Sequence, residues 1–275
     1  MNKRQFESEA EFLRQYDPTT FDPFSLTTDL LVFSVSDGEK ESYRRLPEKH
    51  FSLLLVKRSS HPFCGKWCLP GGFVRLHESI DEAAVRVLKH ETNLSDIYME
   101  QLYTFGAPDR DPRMRIASTA YMALVDKDRL RDRLDDQASW FHLTVRELED
   151  SVVIDMDNGE ENLSIRLKKA LCHRTVNSYK FEVIQNESLA FDHALVIAEG
   201  LNRIKNKLQY TDIVFNMMPS SFTLGELQRV FEVILGRKLL DSAFRRMIAD
   251  TVEKTGKFRT GGGHRPSAFY RYKKQ

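Results

Sequence analysis

Residues 67–94, WCLPGGFVRLHESIDEAAVRVLKHETNL, constrain the fold more than any other stretch. Gly71 and Gly72 follow Pro70, a turn that admits backbone geometry a side chain forbids. Ser79 is placed to cap a helix, with Glu82 three residues on to close a capping box. Ala83, Ala84, Val87, Leu88 and Glu91 then recur at helical spacing. The stretch reads as strand end, glycine turn, loop and a helix over residues 79–92.

Gly72, Glu78, Arg86, Leu88, Glu91 and Leu94 resemble the Nudix box, position for position. Val87 and His90 stand where that pattern asks for Glu, and Asn93 where it asks for Gly. In the full pattern the glutamates share one helix face and gather Mg²⁺ or Mn²⁺ around a pyrophosphate, because hard cations take oxygen ligands. The metal then polarises the phosphate and lowers the pKa of a bound water. Here that face reads Val87, His90, Glu91; valine cannot ligate, and imidazole suits Mg²⁺ poorly. Glu78 and Glu91 remain as candidate metal ligands and, with Arg86, as the residual catalytic set. The expectation is a Nudix scaffold holding Mg²⁺ or Mn²⁺ weakly, with its hydrolytic activity in question.

A chain of 275 residues, 41% hydrophobic and 29% charged, can bury a core and hold one large or two modest domains. It has no apolar run of membrane-spanning length, and its polar, acidic N-terminal stretch does not read as a signal peptide. Cys64, Cys68 and Cys172 form no metal-ligand pattern, so free thiols in a reducing cytoplasm are expected. The net charge of +1 hides an asymmetry: from Ser188 onward 15 Lys and Arg face 8 Asp and Glu. No acidic residue follows Lys254. Only the C-terminal part is therefore suited to meet a polyanion.

The first 27 residues read as an extension, with a short helix over residues 9–16. Strands are expected at residues 30–36, 51–58, 97–104 and 115–124, the first two pairing antiparallel. Residues 163–170 and 178–183 fit either a hairpin or a helix–strand pair. From Ser188 to about Leu208 the apolar residues Leu189, Ala194, Ile197, Ala198, Leu201 and Ile204 make a helical stripe. This helix is expected to link a domain at residues 1–187 to a second at residues 188–275.

The second domain has its own grammar. Thr223 caps a helix in a capping box with Glu226, and Leu227, Val230, Phe231 and Ile234 form its apolar face before Gly236 ends it. Asp241 is expected to cap a second helix with Phe244, Met247 and Ile248 inward and Arg245 and Arg246 outward. Residues 252–274 then read as strand, basic glycine turn and strand, a wing carrying Lys257, Arg259, His264 and Arg265. Arg245 and Arg246 are the candidate readers of duplex DNA, and the wing residues are candidate phosphate contacts. A solvated helix face and flexible tail would show the same charges.

Five segments in order, LLLVKRSSHPFCGKWCLPGGFV, FGAPDRDPRMRIASTAYMAL, LAFDHALVIA, FTLGELQRVFEVILGR and FRTGGGHRPSAFYR, resemble the Nudix-related transcriptional regulators of the NrtR type over nearly the whole chain. The resemblance implies an α+β protein, an α/β/α Nudix sandwich with a mixed sheet followed by a smaller winged helix. It implies a cytoplasmic, homodimeric bacterial regulator of NAD or sugar metabolism that senses ADP-ribose or a related nucleotide sugar. The competing readings are a metal-dependent hydrolase of ADP-ribose or another nucleoside diphosphate derivative, and a non-catalytic module whose wing binds protein or RNA.

The loop FGAPDRDPRMR concentrates Asp109, Arg110, Asp111, Arg113 and Arg115, and guanidinium forks match phosphate. By resemblance it lies at the ligand site, where Arg58 and Arg75 are placed to reach the same phosphates. An internally neutralised loop is the alternative. Trp67 reads as core packing before base stacking, His90 as a surface residue, and His193 as a packing or capping residue.

Overall fold

The structure, a computed structural model, describes residues 8–38, 47–92, 97–125, 137–173, 176–259 and 266–273. Its organising strand is β1 (Ser25–Asp37), whose sequence LTTDLLVFSV lacks the polar alternation of a half-exposed strand. Such a strand needs cover on both faces, and it has it. Leu30 and Val32 pack against a helix on one side, while Leu31, Phe33 and Val35 join a larger core on the other.

The remaining elements of the first region are α1 (Glu9–Gln15), β2 (Lys49–Lys57), β3 (Trp67–Cys68), β4 (Gly71–Phe73), α2 (Ile80–Thr92), β5 (Tyr98–Phe105), β6 (Ile116–Val125), β7 (Ala138–Glu147), β8 (Ser151–Asp157), β9 (Asn162–His173) and β10 (Val176–Asn186). They build a 10-stranded mixed sheet in the order β10-β9-β8-β7-β2-β1-β6-β5, with β3 on β2 and β4 on β1. Among the strands of the described residues only β1 and β6 pair in parallel; β1 and β2 pair antiparallel, as expected. The undecided segment is a hairpin, β9 and β10 pairing antiparallel.

Ser79 and Glu82 make the reciprocal capping box at the start of α2, at 3.2 and 2.7 Å. The helix buries Ala83, Ala84, Val87 and Leu88 against Leu30, Val32, Leu54 and Tyr121. The opposite face is covered by α3 (His193–Lys207), which buries Ala194, Val196, Ile197 and Leu201. Its Gly200 lies so near Leu31 that a Cβ there would stand 2.7 Å from a methyl carbon. Thus α3 is the second helical layer of the sandwich. It begins at His193, five residues later than Ser188, because residues 188–190 run as an extension beside β3: Trp67 N–H donates to Ser188 O at 3.1 Å and Ala190 N–H to Trp67 O at 2.8 Å.

The C-terminal region contains a 3-10 turn (Ile213–Met217), β11 (Phe222–Thr223), α4 (Leu224–Leu235), α5 (Asp241–Ile248), β12 (Val252–Arg259) and β13 (Ser267–Tyr272). The last three strands identified, in the order β11-β13-β12, form the wing sheet. Thr223 and Glu226 form the expected capping box, and Gly236 closes α4 at φ 69°. The expected Asp241 cap is corrected: Leu240 occupies the N-cap of α5 without a side-chain bond, and Asp241 instead accepts a hydrogen bond from Gln228 Nε2 at 3.0 Å, tying α5 to α4. Met247 points outward, leaving Phe244 and Ile248 as the buried pair of α5. One hydrophobic cluster runs from the main sheet through α3 into Leu227, Val230, Phe231 and Phe244. Arg229 Nη1 also donates to Pro47 O at 2.7 Å, fastening α4 beside β2.

Candidate functional site

A cavity of about 310 Å³ opens where β1, the end of β2, the β3–β4 turn and the β5–β6 loop meet the residues leading into α3. Its lining includes Asp29, the one ionisable residue in the buried stretch of β1, exposed by only 7%. Gly71 pairs with Asp29 across β1 and β4, and the absence of a side chain there permits the approach.

Polar groups buried here are paired. Arg110 donates to both carboxylate oxygens of Asp192, Nε at 2.9 Å and Nη2 at 2.7 Å, and Nη2 also reaches Asp29 at 3.3 Å. Burial opposes the charge on Arg110, but the two carboxylates outweigh it and hold the guanidinium protonated above its usual range. Arg113 forks onto Asp111 at 3.0 and 2.7 Å, and Lys57 pairs with Glu161 at 2.6 Å. Arg58 has no carboxylate partner among the described residues; its Nε donates to Pro62 O at 2.7 Å and its guanidinium lies 4.9 Å from the Phe191 ring. Phe191 itself holds a left-handed backbone, φ 52°.

His193, the first residue of α3, is fully enclosed, and burial drives its pKa down, outweighing Asp29 and Asp192. The neutral ring accepts from Leu69 N–H through Nδ1 at 2.9 Å, so Nε2 carries the proton and faces Asp29 Oδ1 at 3.6 Å. The Cys68 thiol in the same wall is pushed up to about 11 by burial, so it is a neutral lining group and no thiolate nucleophile at neutral pH.

Of the ligand candidates read from the sequence, Arg58, Arg110 and Arg113 line this cavity, whereas Arg75, Asp109 and Arg115 do not. Arg115 turns away to donate to Ala107 O at 3.1 Å and lies 5.7 Å from the Phe24 ring. Sequence reasoning missed Asp29, Phe191 and Asp192. A lone Asp in an otherwise uncharged buried strand was the available signal for the first. Trp67 is a core residue, packed edge-on to Phe141 and donating Nε1–H to Glu161 at 3.1 Å.

The box carboxylates are apart in role. Glu78 accepts from Arg86 at 2.5 and 2.9 Å and from Arg75 N–H at 2.8 Å; chiefly the Arg86 bonds lower its pKa to about 2. It fastens the box loop to α2. Glu91 lines the cavity with His90 as its neighbour at 3.2 Å, and Val87 is buried in the α2 core beside Gly72. Among the described residues no group of three or more His, Cys, Asp or Glu side chains converges as a metal cage. This donor set does not fit a catalytic Mg²⁺ or Mn²⁺ centre. Asn93 and Leu94 of the box lie outside the described residues.

On the winged helix, Arg245 and Arg246 project from α5 and Lys257 from β12, each exposed and without an ion pair among the described residues. Arg259 differs: it pairs with Glu226 at 2.8 Å and lies over Phe269 at 5.2 Å. His264 and Arg265 fall outside the described residues.

Two family models match the chain, the NUDIX domain at residues 43–162 and the NrtR DNA-binding winged helix domain at residues 214–272. The ADPR responsive transcriptional repressor NtrR of Acinetobacter baylyi is 30% identical over 271 residues, covering 97% of this chain and 89% of the relative. The chain belongs to the NrtR family. Among solved structures, a MutT/nudix family protein from Enterococcus faecalis is 26% identical, with a TM-score of 0.70 over 98% of this chain and all of that one. Shewanella oneidensis NrtR complexed with a 27mer DNA is 28% identical, with a TM-score of 0.63 over 90% of this chain and 93% of that one. In this NrtR-family chain the two matched regions leave residues 163–213 between them. That interval holds α3, which contributes to the cavity at its start and to the shared hydrophobic core along its length. No helix among the described residues is long and apolar enough to cross a membrane.

Proposed function

We propose that this protein is a transcriptional repressor that releases duplex DNA when ADP-ribose or a closely related nucleotide sugar fills the cavity. The observation that carries the reading is the cavity's composition: Phe191 and His193, which lead α3, form part of its wall, and α3 packs into the core shared with the winged helix. The Acinetobacter relative is described as ADPR responsive, and the Shewanella protein is described in complex with DNA. Arg58 and Arg113 offer guanidinium donors to a diphosphate, and the Phe73 and Phe191 rings offer faces to a base. The exposed Arg245 and Arg246 would meet base edges and Lys257 the phosphates, in the cytoplasm. A homodimer would set two recognition helices one DNA turn apart, about 34 Å.

The test is a gel-shift titration using duplexes that the protein itself selects from a random-sequence pool. Retention of a common sequence and its release by ADP-ribose are expected. Failure to retain any duplex at low salt would refute the reading.

A further inference from the structure

Three of the four cations lining the cavity are already neutralised. Lys57 is held by Glu161, Arg113 by Asp111, and Arg110 by Asp192 and Asp29; Glu91 adds a further negative charge. Arg58 alone among them has no carboxylate partner among the described residues. A diphosphate is a dianion, so one unpaired guanidinium does not balance it. A second arginine that traded a carboxylate for the ligand would complete the balance.

The two candidate trades differ in reach. Arg113 and Asp111 are two residues apart on one loop, and Arg113 is 41% exposed, so breaking that pair separates no two elements, although the guanidinium also lies 5.3 Å from the Phe73 ring and 5.7 Å from that of Phe191. The Arg110 guanidinium is only 4% exposed and joins the loop to the residue preceding α3. Among the described residues its Nη1 donates no hydrogen bond, so an incoming anion can engage Nη1 first and then displace Asp192 from Nε and Nη2.

Asp192 has a second use waiting. It occupies the N-cap of α3, where Asp is among the most favourable residues, yet it makes no side-chain cap bond, and its carboxylate is engaged with Arg110 instead. Within the first turn His193 N–H already donates to Ala190 O at 3.3 Å and Leu195 N–H to Asp192 O at 2.9 Å, which leaves Ala194 N–H without a partner among the described residues. Released, the Asp192 carboxylate can accept from Ala194 N–H once its backbone turns from φ −92°, ψ 19° toward the extended values of a side-chain cap.

We propose that Asp192 is a two-position residue: it clasps Arg110 in the effector-free protein, and it caps α3 when the effector's phosphate takes its place on Arg110. This rests on the reading that the cavity binds a nucleotide-sugar diphosphate. The first turn of α3 is then re-seated, and α3 carries that change into the core it shares with the winged helix.

The experiment compares the parent with Asp192→Asn and Asp111→Asn, full-length. Asn keeps capping ability but no longer neutralises the arginine. For Asp192→Asn, ADP-ribose is expected to bind at least about tenfold tighter by calorimetry, and the selected duplex several-fold more weakly without effector. For Asp111→Asn, tighter ADP-ribose binding with unchanged DNA affinity is expected. Amide hydrogen exchange on the parent is the check that needs no variant: residues 193–196 should change protection on saturation with ADP-ribose. If the parent responds to ADP-ribose while Asp192→Asn keeps the parental constants, or residues 193–196 keep their protection, the exchange is wrong and the repressor reading stands. If the parent neither binds ADP-ribose nor releases DNA, both fall.

Discussion

Replacing Gly71 by Ala tests how tightly the cavity floor is built. A Cβ at that position would lie 2.6 Å from Asp29 Oδ1 and 2.8 Å from the backbone oxygen of Thr28. Carbon–oxygen contacts of this kind sit at about 3.3 Å or more, so the overlap is roughly half an ångström with each. The Asp29 side chain can rotate, but its oxygens are engaged with Arg110 at 3.3 Å and His193 at 3.6 Å. The Thr28 oxygen belongs to β1 inside the sheet and can retreat only with the strand. Overpacking of this type costs about 1–3 kcal/mol. The loss of backbone freedom in the unfolded chain returns about 0.4–1 kcal/mol, leaving a net destabilisation of about 1–2 kcal/mol. For a chain of this size that lowers Tm by about 2–8 °C. Displacing Asp29 also loosens Arg110 and His193, so ADP-ribose affinity should change together with Tm in calorimetry. A variant melting within about 1 °C of the parent, with unaltered ADP-ribose binding, would refute the claim that the β1–β4 approach admits only glycine.

Three further outcomes follow from the site. His193 is held below its ordinary pKa of 6.5 by burial, so the unfolded chain takes up a proton that the folded chain refuses; stability is then full above about pH 6.5 and falls as the pH drops through it. Melting curves between pH 5.5 and 7.5 should show a steeper acid loss for the parent than for His193→Gln, and equal slopes would count against the buried neutral ring. Truncating Lys257 to Ala should reduce the salt slope of DNA binding by about 0.9, whereas Arg259→Ala should change it less because Arg259 is already paired with Glu226; fluorescence anisotropy across a salt series separates the two, and an equal reduction in both would overturn that distinction. With Mg²⁺ or Mn²⁺ and ADP-ribose, AMP release should stay at background, since Glu91 stands without a second box carboxylate in the cavity; release that disappears in Glu91→Gln would restore the hydrolase reading.

Features complete within a few residues are legible in the sequence. The two capping boxes, Ser79 with Glu82 and Thr223 with Glu226, are complete within four residues each, so composition and spacing suffice to find them. The stripes of α2 and α3 were legible because a helix repeats its buried face every turn. The Asp241 cap failed for the converse reason: Gln228, on the preceding helix, competes for the same carboxylate. Distance along the chain likewise hid which arginines reach the cavity. Arg110 and Arg115 look equivalent in sequence, yet one forks onto Asp192 and the other turns to Ala107.

The sequence by itself determined the two-part architecture, the altered box and the basic second domain, because each is written in residue types at short spacing. Only the tertiary structure decided that α3 belongs to the sandwich and to the cavity at once. Buried charges are partnered by whatever the fold brings near, and Asp29, Arg110 and Asp192 meet across more than eighty positions of chain. The box at residues 67–94 therefore marks the scaffold, while the groups that define the cavity's charge come largely from elsewhere in the chain.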